Sequence, residues 1–137
     1  MAIQFAPRTG SVLLCDFSLG GFRPPEMVKR RPVVVLSPRL RRRDGLVSVV
    51  PLSTTRPGRP VPYVVPLSLT PLPPAPFDAQ ACWAKCDMVS CVGFGRLDFF
   101  RTPRGGVRRR TYLKLGLSAD QLAQVRCGVK HALGLAD

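Results

Sequence analysis

Arg30-Arg31-Pro32, running straight into the aliphatic stretch Val33-Val34-Val35-Leu36, is the first place in this chain where residue types and order could do chemistry. A guanidinium stays charged and presents a planar fork of donors, which suits a phosphate. Four apolar residues closed by Ser37-Pro38 predict a strand over 33–36, central and buried on both faces. Pro32 is expected at its first position, where a missing N–H costs least. Arg31 would then stand at the mouth of a rigid strand, with Lys29 and Arg30 beside it. A second group, Ser53-Thr54-Thr55, puts hydroxyls at the end of an expected strand over 46–52, with Arg56 following. A third, Lys85 and Asp87, is two residues apart and so on one face of an expected strand; a plain surface ion pair is the alternative.

The elements that must position these groups read as one small domain over all 137 residues, with 1–8 as a tail or edge. No apolar run approaches the roughly 18 residues a membrane span needs. The opening MAIQFAPRTG lacks the apolar segment of a signal peptide, so the expected location is cytoplasmic. Net charge is +13, carried mostly by arginine, with lysine only at Lys29, Lys85, Lys114 and Lys130. An anionic partner follows, with nucleic acid favoured over an acidic protein or a membrane face. Five cysteines without an export signal read as reduced thiols. Cys82, Cys86 and Cys91 form no C-x-x-C, and His131 lies far away, so no metal or cofactor is expected.

Along the chain, 11–17 is an expected first strand and 18–29 a Gly- and Pro-rich loop, long enough to be a binding loop. Arg39 to Gly45 is a basic turn whose Asp44-Gly45 marks a hairpin; its arginines are either a solvated tip or contacts to phosphates. Residues 63–67 form a strand that Pro62 and Pro66 confine to a sheet edge. Residues 69–76 are proline-rich and irregular, and 81–92 hold one or two strands. A basic loop or hairpin over 101–110 precedes a last short strand over 112–115. From Ser118 the period turns helical: Ser118 and Gln121 make a capping box, Leu117 and Leu122 a staple, and Gly134 a stop. Leu122, Val125, Val129, Ala132 and Leu133 mark the helix's apolar face, with His131 on or near the polar one.

The order of these blocks resembles the MazF/PemK (Kid) toxins of bacterial type II toxin–antitoxin systems. The blocks are the strand over 10–17, PPEMVKRRPVVVLSP, VVPLSTT ending at Thr55, AKCDMV ending at Val89, GRL ending at Leu97, and a closing helix ending ALGL. The resemblance implies a mainly β (α+β) fold, an SH3-like antiparallel β-barrel with a C-terminal α-helix, acting as a homodimer. It also implies a metal-independent endoribonuclease that cuts single-stranded RNA to 2′,3′-cyclic phosphate and 5′-hydroxyl ends. A cognate acidic antitoxin would block the RNA groove, and operator DNA would be reached only through the antitoxin complex. Arg31 falls on the family's catalytic arginine, and Ser53 on its catalytic Thr or Ser, with Thr54 adjacent. Lys85 and Asp87 fall on the Arg-Cys-Asp motif of the Kid branch, with Lys in place of Arg. The His that some members carry in the first loop is missing from 18–29.

Cleavage through the 2′-hydroxyl needs a proton removed, a charged phosphorane stabilised, and a proton for the leaving oxygen. With one histidine, a two-histidine mechanism is excluded. Arg31 is assigned to charge stabilisation and Ser53 to a non-bridging oxygen. Asp87 is either the base or a group that orients Arg31 or the sugar. Lys29, Arg30, Thr54, Arg56 and Lys85 are the expected RNA contacts, with stacking by Phe22 or Trp83. Two other functions remain open at this level: a non-nuclease inhibitor of DNA gyrase of the CcdB type, which shares the fold, and a passive RNA-binding module.

Overall fold

The β2–β3 hairpin at the centre of the sheet carries both the core and the site. The computed structural model describes residues 3–18, 20–101 and 112–135, so the basic stretch expected over 101–110 lies, from 102 on, outside the described residues. The strands are β1 Ser11–Asp16, β2 Arg30–Val35, β3 Leu46–Ser53, β4 Val64–Leu67, β5 Cys82–Lys85, β6 Ser90–Gly93, β7 Leu97–Asp98, β8 Phe100–Arg101, β9 Tyr112–Leu113 and β10 Leu115–Gly116. One helix, α1 Ala119–Ala132, closes the chain. The main sheet is antiparallel in the order β10-β1-β2-β3-β5-β4, with β7 on β1 and β6 on β3; β8 and β9 pair separately.

β1 and β3 each change partner along one edge. β1 pairs with β10 at Ser11 and Val12, then with β7 at Leu14 and Cys15. β3 pairs with β6 from Leu46 to Val49, then with β5 at Leu52 and Ser53. Such sharing gives the expected SH3-like, barrel-type arrangement with a C-terminal helix, and the strand path ends at β10 and β4, so the barrel is open. β4, with Pro66 opposite Trp83, is the edge strand its prolines demand.

Period-two alternation splits the core between two faces. Val34, Val50, Leu52 and Val12 pack with Val65, Ala84, Cys86 and Val125 beneath the helix. Val33, Val35, Val47, Val49, Leu13 and Cys15 pack on the other side with Phe17, Leu97 and Ile3. β2 is thus buried on both faces, as its unbroken valines require. Ile3 joins the second face through its N–H, which donates to the Leu97 carbonyl (2.9 Å).

The helix forms as its sequence dictates. Gln121 N–H donates to the Ser118 hydroxyl (3.2 Å) and Ser118 N–H to the Gln121 side chain (3.0 Å), a complete capping box. At the far end Gly134, at φ +72, lets its own N–H reach the His131 carbonyl and the Leu135 N–H reach that of Lys130. Val125 and Gly128 face the sheet, whereas Leu133, expected on the apolar face, is 57% exposed past the last turn. The described helix is too short to cross a membrane.

Candidate functional site

β2 begins earlier than expected because Arg30, Arg31 and Pro32 pair with Asp16, Cys15 and Leu14 of β1. Pro32 is therefore inside a strand, and its missing N–H has a direction. Leu36 N–H donates across to Ser48 (2.9 Å), while Val35 accepts from Gly10 (2.7 Å) on the opposite edge. Even-numbered residues of β2 thus aim their backbone groups at β3, and Pro32 has no donor to offer there. The β2–β3 ladder accordingly stops at Val33↔Pro51. Pro51 has the opposite phase on β3, so its own missing N–H falls on the other edge, between the end of β6 pairing at Val49 and the start of β5 pairing at Leu52.

Beyond the last pair, the two strand ends border a cleft of about 330 Å³. Lys29, Arg30, Arg31 and Pro32 contribute one side, and Leu52, Ser53 and Thr54 another. Continuing the register sets Arg31 opposite Ser53, and the alternation gives both the same face of the sheet. Ser53 is 8% exposed, the one buried polar residue among those described. Its hydroxyl oxygen accepts from Thr55 N–H (3.1 Å), which leaves the hydroxyl hydrogen to donate elsewhere. Arg31 Nε is buried and, among the described residues, has no hydrogen-bond partner. Among the described residues, three cations and no carboxylate line this cleft.

The first loop braces its cationic side. Phe17 N–H donates to the Lys29 carbonyl (3.3 Å). The Ser18 hydroxyl and N–H both donate to Asp16, which holds that carboxyl below its ordinary value. Arg96 Nη1 donates to the Asp16 carbonyl (3.1 Å), and its guanidinium lies 4.9 Å over the Phe22 ring. Phe22 itself packs edge-on against Phe17, so this expected base-stacking residue belongs to the second core face and does not line the cleft.

Of the other expected site residues, Arg56 is exposed on the loop after β3 and outside the lining. Lys85 ends β5, opposite Val64. Asp87 lies in a 3-10 turn, Cys86–Met88, so the pair does not share a strand face as expected. Among the described residues no ion pair joins the two, and neither lines the cleft. The turn forms because Cys86 is drawn into the core, its thiol donating to the Val125 carbonyl (3.5 Å), which turns Asp87 out to solvent. Trp83 is half-buried on β5.

The sequence reading missed the cleft's third side: Leu69, Pro76, Phe77, Ala79 and Cys82. The lone aromatic in a proline run was the available signal. Burial pushes the Cys82 thiol up to about 11, so it stays protonated at neutral pH. A larger cleft of about 500 Å³ sits at the other end of the hairpin, where Arg39 is 3.9 Å from Asp44. A carboxylate inside that cleft makes it the poorer host for a phosphate.

Residues 8–133 match the family of PemK-like, MazF-like toxins of type II toxin–antitoxin systems, and the chain belongs to that family. It is 37% identical to a putative uncharacterized protein, YifN, of Escherichia coli (strain K12), over 94% of this chain and 93% of that one. An endoribonuclease from a mycobacterial species, solved with its cognate antitoxin, has a similar fold: TM-score 0.60 at 22% identity, over 96% of this chain and 99% of that one. So does the Mycobacterium tuberculosis toxin MazF-mt6, with TM-score 0.61 at 19% identity, over 93% and 99%.

Proposed function

We propose that this chain is an endoribonuclease toxin that cleaves single-stranded RNA in the cleft between the ends of β2 and β3. The observation that carries the reading is the opposition of Arg31 and Ser53 in a cleft whose described lining is cationic and holds no carboxylate. A phosphodiester seated there meets the Arg31 guanidinium and the Ser53 hydroxyl, while Lys29, Arg30 and Thr54 hold the flanking backbone. The 2′-oxygen attacks phosphorus and the bond from phosphorus to the 5′-oxygen breaks. The products are a 2′,3′-cyclic phosphate and a 5′-hydroxyl.

Arg31 and Ser53 stabilise the charge that grows on the non-bridging oxygens, and the cleft walls align the attack. Among the described residues no carboxylate or imidazole lines the cleft, and protons pass to and from water. Asp87, from its exposed turn, acts at most on the substrate outside the cleft. The substrate supplies the nucleophile, which restricts the reaction to RNA.

A protein of net charge +13 with this cleft calls for an acidic antitoxin that covers it, and for a cytoplasmic site of action. The active unit is a homodimer, and operator DNA is bound through the antitoxin. The test is incubation of the purified protein with single-stranded RNA in excess EDTA, with both product ends mapped. Cyclic phosphate and 5′-hydroxyl ends are expected. Intact RNA, together with inhibition of gyrase supercoiling, would replace this reading with the gyrase one.

A further inference from the structure

The cleft has a side that the phosphate chemistry does not use. Leu69, Pro76, Phe77 and Cys82 line the same cleft as Arg31 and Ser53. Resting on the nuclease reading above, we infer that this side is a nucleobase subsite, and that it selects its base by ring size and stacking area, not by reading the base's edge.

Three observations lead there. The Phe77 ring is fixed by an edge contact with Phe100, centroids 5.9 Å apart at 66°, so it offers a set plane. A flat ring beside a phosphate site is where a base stacks. The side chains on this wall include no carboxylate, amide or guanidinium to pair with a base edge.

At the ring itself the main chain offers no free donor. Pro76 has no N–H, and that of Phe77 already donates to the Pro74 carbonyl (3.0 Å). The Cys82 thiol is engaged as well, with the Leu67 carbonyl (3.6 Å). A wall that offers faces and few edge partners rewards stacked area, and a purine brings more of it than a pyrimidine. The segment over 69–77 therefore confers a purine preference with little discrimination between adenine and guanine.

The test uses the intact protein and 2′-fluoro oligonucleotides, which lack the nucleophile, so binding is read without cleavage. A uracil strand carries one adenine, guanine or cytosine at successive positions. At one position each purine is expected to tighten binding about tenfold over either pyrimidine, with the two purines within about threefold of each other. Phe77→Leu should shrink the purine advantage below about threefold, weakening the purine-bearing strands more than the all-uracil strand. Should that variant not fold, Leu69→Val carries the same comparison, with a smaller loss of the purine advantage expected.

Adenine and guanine differing tenfold at that position, or a purine advantage indifferent to both substitutions, overturns the inference. Purine-selective binding by a protein that never cuts RNA keeps the subsite and removes the nuclease reading. Arg31-dependent cutting without purine selection at any position does the reverse.

Discussion

Arg31 on β2 and Ser53 on β3 occupy opposed positions just past the last pair of the β2–β3 ladder, and both line one cleft. Pro32 produces this opening, because its missing N–H ends the ladder where the cleft begins. The Ser53 hydroxyl is held by the Thr55 N–H and still has a hydrogen to give. Ser53→Ala is therefore expected to slow cleavage about 100-fold with the fold retained, as for loss of one oxyanion donor. Ser53→Thr keeps the hydroxyl and should recover most of the rate. Single-turnover kinetics on a short RNA, with circular dichroism as the control, check both.

Asp87 is exposed on its 3-10 turn and outside the cleft. Asp87→Asn should leave the single-turnover rate within about threefold of wild type, because general-base loss typically costs 100-fold or more. Among the described residues the cleft's one thiol is pushed up to about 11, and no carboxylate or imidazole lines it. The logarithm of the rate should accordingly rise with pH without an inflection from about pH 5 to 8. A bell-shaped profile there would assign the proton to a protein group after all.

Gly128 shows how closely α1 sits on the sheet. A Cβ at this position would come within 2.6 Å of Cys86 Sγ and 3.0 Å of Val65 Cγ2. Helix propensity alone favours Gly128→Ala by about 1 kcal/mol. Overpacking reverses the sign, and a net loss of about 1–3 kcal/mol is expected. Thermal unfolding reads the loss, and adding Cys86→Ala, which removes the nearest atom, should return part of it.

The thiols supply a pH test. Burial pushes Cys15 and Cys86 up to about 12 from 9.0, with Asp87 adding to the shift at Cys86. Above pH 9 the unfolded chain releases protons that the folded one keeps, so stability is full below that pH and falls as pH rises toward 12. Each such thiol contributes a slope of about 1.4 kcal/mol per pH unit at most. Urea unfolding between about pH 8 and 11 measures it, and Cys86→Ala should flatten it. At neutral pH Cys91 and Cys127, both exposed, should react with a thiol reagent long before Cys15, Cys82 and Cys86.

Much of this was legible before the fold was seen, for local reasons. The valines of β2, the edge prolines of β4 and the capping box of α1 each specify their element within a few residues. Arg31 and Ser53 could be placed at strand ends because both strands are strongly patterned. Lys85 and Asp87 were misplaced because spacing alone cannot reveal that Cys86 is drawn inward and breaks the strand. Phe22 was placed with the substrate, yet its ring is taken by Phe17 and Arg96. The 69–79 wall stayed hidden because prolines erase any periodicity, and its place in the same cleft as Arg31 depends on tertiary packing.

The most direct measurement is single-turnover cleavage of a single-stranded RNA in EDTA by wild type and Arg31→Ala, with unfolding curves for both. Wild type should yield 2′,3′-cyclic phosphate ends, and the variant should fall by at least about 1,000-fold at unchanged stability. Cleavage by Arg31→Ala at the wild-type rate would contradict the account.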